Sequence, residues 1–208
     1  MKRFFTADQH FGHANIMKYE DAARRNGHGG RFATVDKMNE YLVDQWNAVV
    51  GKGDAVYCLG DVSFKTDVLC EIMPFLNGEK ILIVGNHDPF FKRMLSGDPL
   101  GVERALEVGF KEMHMNLSIE IPGVGRVKLA HFPYAPPNPE ELQDFELRYL
   151  ALRPKAGDEK LLLHGHVHSE WTKHQYPGMP PMINVGVDLW GMCPVSEAEI
   201  VAEYLSCL

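Results

Sequence analysis

The sequence has no apolar run long enough to cross a bilayer, so no membrane span is expected. Its first residues, MKRFFTADQHFGH, turn polar too soon for a signal peptide. An excess of basic charge is also missing: 21 Lys and Arg stand against 28 Asp and Glu, a net charge of −7. That argues against an extended surface for long DNA or RNA. A small phosphorylated ligand stays open, because bound cations can reverse the local sign. The four cysteines (Cys58, Cys70, Cys193 and Cys207) form no CxxC pair. A thiolate zinc site and a disulfide framework are therefore not expected, and reduced thiols suit a cytoplasmic protein. Repeats, low-complexity tracts and interdomain linkers are absent, so the expectation is a single domain over residues 1–208, long enough to bury its own core.

What the chain does contain is an alternation of strand-like and helical segments. RFFTA (3–7), AVYCLG (55–60) and KILIVG (80–85) read as buried strands. Between them, Val35, Met38, Leu42, Trp46 and Val49 fall at helical spacing after Thr34, a plausible N-cap. Residues 67–76 read as a helix that fails near Pro74. This part predicts βαβ units. Further along, 110–121, 126–132, 160–165 and 182–188 read as strands, 140–153 as a helix, and Ser196 with Glu199 as a capping box for a last helix.

Titratable residues collect where the strand-like runs stop. Asp8 and His10 follow the first run, Asp61 the second, and Asn86, His87 and Asp88 the third. His131 ends a later strand, and HGHVH supplies His164, His166 and His168. In open α/β sheets, ligands bind where strands end at their carboxyl edge. Residues two apart on an extended segment point the same way, so Asp8 with His10, and His166 with His168, can each reach one point. A set of imidazole, carboxylate and amide oxygen suits manganese, iron, nickel, cobalt or zinc better than calcium. Seven such groups are too many for one ion and about right for two sharing a carboxylate, roughly 3.5–4 Å apart.

DxH, GD, GNHD, a strand-end His and GHxH, in that order, resemble the calcineurin-like metallophosphoesterases. DQHFGHANI, GNHD, HGHVH and NVGVD look in particular like a group of small prokaryotic and phage phosphoesterases. The resemblance implies a four-layer αββα sandwich, an α/β fold of two mixed β-sheets flanked by helices. It implies that Asp8, His10 and His168 hold one divalent ion, that Asn86, His131 and His166 hold the other, and that Asp61 bridges them. His87 matches the family histidine that is not a ligand and stabilises the transition state or protonates the leaving oxygen. A hydroxide shared by the two ions would attack phosphorus.

The chain departs from parts of that family. Where Ser/Thr protein phosphatases carry the Asp that orients the catalytic His, and purple acid phosphatases an iron-binding Tyr, this chain has Phe64, which can do neither. Asp88 is then a candidate, by proximity, to orient His87. GNHD keeps the His that the lipid A pathway pyrophosphatases of this fold usually replace by Arg.

Other residues carry two readings. His13 and Asn15 could touch substrate phosphate or shape a helix entry; Arg31, in the Gly-rich loop with His28, could clamp phosphate or sit on a plain surface loop. His164 reads as support or packing. Tyr134, Trp171 and Tyr176, in Pro-rich segments after the ligand motifs, could stack on a nucleobase or simply pack. Asp188 could support a ligand.

The expected function is therefore hydrolysis of a small, nucleotide-type phosphodiester with two divalent ions, manganese first among them. A phosphomonoesterase and a non-catalytic metal-binding scaffold are the alternatives. The substrate itself, the native metals and the oligomeric state stay open at this stage.

Overall fold

Phe4 and Phe5 are neighbours, yet both are buried. Successive strand side chains point to opposite faces, so their strand must be covered on both sides. In the computed structural model, which describes residues 1–26 and 32–207, this double cover sets the whole architecture. In chain order the elements are β1 (Arg3–Thr6), α1 (Ile16–Tyr19), α2 (Val35–Val49), β2 (Ala55–Cys58), α3 (Thr66–Ile72) and β3 (Glu79–Ile83). Then come α4 (Phe91–Leu95), α5 (Leu100–Glu107), β4 (Glu112–His114), β5 (Asn116–Ile121), β6 (Gly125–Ala130) and α6 (Asp144–Leu147). β7 (Leu161–His164), β8 (Lys173–His174), β9 (Met182–Asn184), β10 (Val195–Ser196) and α7 (Glu197–Leu205) complete the chain.

The strands form two five-stranded mixed sheets flanked by helices, in the orders β10-β1-β2-β3-β4 and β5-β6-β7-β9-β8. In the first, β1 to β4 are parallel and β10 is antiparallel. In the second, β6, β7 and β9 are parallel, and β5 and β8 run antiparallel at the edges. Alternation divides the core. Phe5, Leu59 and Ile83 meet Leu129, Leu163 and Ile183 between the sheets. Phe4, Val56 and Leu82 turn outward to Met38, Leu42, Trp46 and Leu69 of the helices. On the outer face of the second sheet, Leu162 and Met182 lie under Tyr134, with Trp171 and Tyr176 packed beside them.

Helix α2 starts where expected: the Thr34 side chain accepts from Lys37 N at 3.3 Å. The Ser196–Glu199 capping box opens α7. Two readings of the sequence need correction. The 110–121 run is two strands, not one: the chain leaves the first sheet after His114 and joins the second at Asn116. Both halves have strand pattern, so only the change of sheet at Met115 separates them. The 140–153 segment is not a continuous helix. It holds a 3₁₀ turn (Pro139–Glu141), the single turn of α6 and another 3₁₀ turn (Leu150–Leu152). Tertiary contacts override helix propensity here, since Glu146 and Arg153 are drawn onto the site described below.

Leu163 is fully buried between the sheets. Leu163→Ala removes its methyl groups and leaves a cavity in that layer, so it is expected to destabilise the fold by about 2–5 kcal/mol. Urea unfolding of the variant and the parent measures this.

Candidate metal centre

The residues singled out at strand ends converge at the carboxyl edges of the two sheets. The first sheet supplies Asp8, His10, Asp61, Asn86 and His87, the second His131, His166 and His168. The way they converge differs from the expectation of extended spacing. Asp8, His10, Asp61, His166 and His168 all have left-handed backbones, with φ from 46° to 74°. Five of the six non-glycine residues of this kind among the described residues are thus candidate ligands. Such conformations cost of order 1–3 kcal/mol each and persist only where the surroundings fix them.

Those surroundings are visible. Asp8 N donates to Gly60 O at 3.0 Å and His10 N to Asp61 O at 3.0 Å, so the loops after β1 and β2 run side by side. The buried Asp88 carboxylate accepts from the backbone N–H of Asp61 (3.0 Å), Val62 (2.9 Å) and Gly85 (2.8 Å). It staples the β2 and β3 loops together and is engaged in the backbone, so Asp88 does not orient the His87 ring as proximity suggested. That ring lies against Phe64, 4.4 Å between centroids, while His87 N donates to Asp61 Oδ1 at 2.8 Å. Gly85 is required by close approach: a Cβ there would sit 2.2 Å from Asp61 Oδ1. At Gly165 one would sit 2.4 Å from Asp8 Oδ2.

Two groups have metal-ligating spacing. Asp8, His10 and His168 form one, Asp8, Asp61 and His131 the other, with the ligand atoms of each within 4.8 Å of one another. Asp8 is common to both. Asp61 Oδ2 lies 3.8 Å from His10 Nε2 and 3.5 Å from His131 Nε2, between the two. Asn86 Oδ1 is 3.0 Å from His131 Nε2, and the His166 ring packs against that of His131 at 5.1 Å.

The donor set fits divalent cations. Buried polar atoms nearly always have partners, yet Asp8 Oδ1 and both ring nitrogens of His10 are buried without a hydrogen-bond partner. Burial lifts the Asp8 carboxyl to about 6 even though His168 and His131 pull it down. Burial works against a charged His131, but the Asp61 carboxylate outweighs it and raises the imidazole to about 9. The carboxylates thus favour a charged imidazole at His131, while burial holds His10, His87 and His166 below the usual range.

Second partners select which histidine nitrogen points inward. His131 Nδ1 meets Leu59 O at 2.8 Å and His168 Nδ1 meets Asp188 Oδ2 at 2.9 Å, which leaves Nε2 of each for the centre. His166 Nε2 meets both oxygens of Glu146, at 2.9 and 3.1 Å, which leaves its Nδ1. Asp188 is in turn held by Arg24 Nε at 2.6 Å, with both side chains fully buried. Burial would raise the Asp188 carboxyl, but the guanidinium and His168 hold it well below the usual range. Arg24 also donates to the carbonyls of Gln9 and Asp8, so one side chain supports the β1 loop and His168 together. On the other flank Arg153 pairs with Glu146. Arg24, Glu146 and Arg153 had no signal in the sequence, because each acts on a partner distant along the chain.

The remaining candidates fall in varied places. His13 borders the centre, its ring 5.5 Å from His10 and 4.5 Å from Phe64. Asn15 is exposed at the start of α1 and lines a separate hollow with Phe32. Arg31 and His28 lie outside the described residues. His164 is fully buried, held by Gly165 O at 2.7 Å and packed on Trp171. Tyr134 is buried under the second sheet, so it cannot stack on a ligand. Trp171 and Tyr176 border a cavity beside the centre.

No protein-family model matches the chain. The Gene 66 protein of Mycobacterium phage L5 is 31% identical over 209 residues, covering 95% of this chain and 91% of that protein. The uncharacterized protein MJ1445 of Methanocaldococcus jannaschii is 30% identical over 207 residues, covering 96% and 89%. The chain belongs to the family of these phage and archaeal proteins. A solved structure of the same shape is the protein of unknown function AQ665 from Aquifex aeolicus, 28% identical, with a TM-score of 0.62 over 96% of this chain and 97% of that one. The similarity thus spans nearly the whole chain, both sheets included.

Arg24 and Asp188 give this centre a test of its support. Asp188→Asn leaves a buried guanidinium short of its counter-charge and frees His168. The expected cost is about 3 kcal/mol of stability and roughly 10–100-fold in affinity for a divalent cation. Thermal unfolding and calorimetric titration with manganese measure the two effects.

Proposed function

We propose that the chain hydrolyses a phosphate ester at a two-metal centre, and that its substrate is a small phosphodiester of nucleotide type. The observation that carries this reading is the shared carboxylate. Asp8 belongs to both ligand groups and Asp61 Oδ2 stands between His10 and His131, so two cations can sit side by side. Asp8, His10 and His168 would hold one, and Asn86, His131 and His166 the other, with Asp61 between. Manganese is the first choice, with iron, nickel, cobalt and zinc also suited to this donor set. Such a pair supplies Lewis acidity toward phosphoryl oxygens and lowers the pKa of a shared water.

The chain's own residues do the rest. His87 stands beside the centre, with its backbone tied to Asp61 and its ring on Phe64. From there it offsets charge on the phosphoryl oxygens and donates a proton to the leaving oxygen as the P–O bond breaks and water oxygen bonds to phosphorus. Phe64 fixes the ring by packing where other members use a carboxylate. Negative net charge favours a small substrate over a polymer. The complete ligand set and the retained His87 weigh against a non-catalytic scaffold.

Chelator-stripped protein is expected to be inactive, to recover with added manganese, and to cleave bis-p-nitrophenyl phosphate faster than p-nitrophenyl phosphate. Preference for the monoester would make it a phosphatase; two bound ions without turnover of either ester would favour the scaffold. His87→Ala should keep both ions and lose about 10²–10⁴-fold in kcat on a poorly activated alkyl ester. Full activity in that variant would remove His87 from the mechanism.

A further inference from the structure

A cavity of about 360 Å³ opens directly from the centre, bordered by Asp61, His87, His166 and His168 on its inner side. Its volume suits a small molecule, for which roughly 300–1,000 Å³ is usual. Away from the metal side its walls combine two chemistries. Trp171, Tyr176 and Phe145 offer aromatic surface, and Glu20, Glu146 and Glu170 offer carboxylates.

The carboxylates are not equivalent. Glu146 is committed to His166 and Arg153. Glu20 accepts from Ser169 Oγ at 2.5 Å, which ties the end of α1 to the loop carrying Glu170. Among the described residues no lysine or arginine pairs with Glu20 or Glu170, so two carboxylates are left to act on whatever enters. Arg153 is the one strong cation in the lining, and it is nearly spent. Its Nη2 serves Glu146, and its Nη1 serves the carbonyls of Pro133 and Tyr134. Its Nε has no partner but is buried, out of reach of a molecule in the cavity. A phosphate clamp needs the bidentate fork, which Arg153 no longer offers.

Among the described lining residues, a phosphate brought into this cavity would face two carboxylates and no free fork. A planar ring bearing N–H or hydroxyl donors would find aromatic surface to stack on and acceptors for its donors. We propose that the cavity is a charge filter on the esterified alcohol. It admits a nucleoside-like group with no second phosphate, and Glu20 and Glu170 are the residues that set this limit. The inference rests on the phosphodiesterase reading above, and the experiment separates the two.

Manganese-loaded protein is given a diadenosine monophosphate with one internal 3′–5′ diester, and the same compound phosphorylated at its 5′ end or at its 3′ end. Whichever end lies in the cavity should pay for the added charge. At least one phosphorylated form is expected to lose about tenfold or more in kcat/KM, the scale of like-charge repulsion close to a partly desolvated site. In the Glu20→Gln/Glu170→Gln double variant, the ratio between the plain and phosphorylated forms should fall toward one, and each single variant should lower it in part. Equal kcat/KM for all three compounds would overturn the filter. A penalty that the variants leave unchanged would overturn the assignment to these glutamates. Bis-p-nitrophenyl phosphate is run alongside. If it and all three dinucleotides stay intact with manganese bound, the phosphodiesterase reading fails, and the filter with it.

Discussion

Buried negative charge is the constraint around which the molecule is arranged. Asp8, Asp61, Asp88 and Asp188 all lie inside, where an unpaired carboxylate is costly. Each is offset by a different device. Asp88 takes three backbone N–H groups, and Asp188 takes Arg24 and His168. Asp61 lies between two imidazoles, and Asp8 has one oxygen on His166 N and the other without a partner. The first two carboxylates build the frame. The other two lie among imidazoles and carry acceptor oxygens at the spacing a cation would need.

Much of this was legible in the chain because a metal centre needs particular residue types at strand ends, and apolar strands announce their own ends. Of the seven residues read that way, Asp8, His10, Asp61, His131 and His168 fall into two ligand-spaced groups, and Asn86 and His166 lie beside His131. The geometric reason was different: left-handed turns, not strand alternation, aim Asp8 with His10 and His166 with His168. Spacing in a sequence carries no φ angle, so it could suggest convergence and not its cause.

Contacts between distant segments were not legible. Nothing near position 24 announces a buried guanidinium whose partner is 164 residues away. The 140–153 segment shows the same limit from the other side: its apolar spacing was helical, but Glu146 meets His166 and Arg153 meets the Pro133 and Tyr134 carbonyls, and the helix breaks to allow it. Tyr134 was placed in the right loop, but its side chain turned inward under the second sheet. Phe64 marked a departure from better-known subfamilies, and only the structure showed what it does instead, which is to wedge between His13 and His87.

The chain passes from one sheet to the other at Met115, and each expected ligand group takes members from both. The centre therefore sits on the seam, and the apolar layer between the sheets works as a spacer gauge for it. Leu129, Leu163 and Ile183 carry none of the candidate donor atoms, yet they pack the layer that holds the His131 and His168 loops against those of Asp8 and Asp61. Repacking of that layer would therefore shift the loops of one sheet against those of the other.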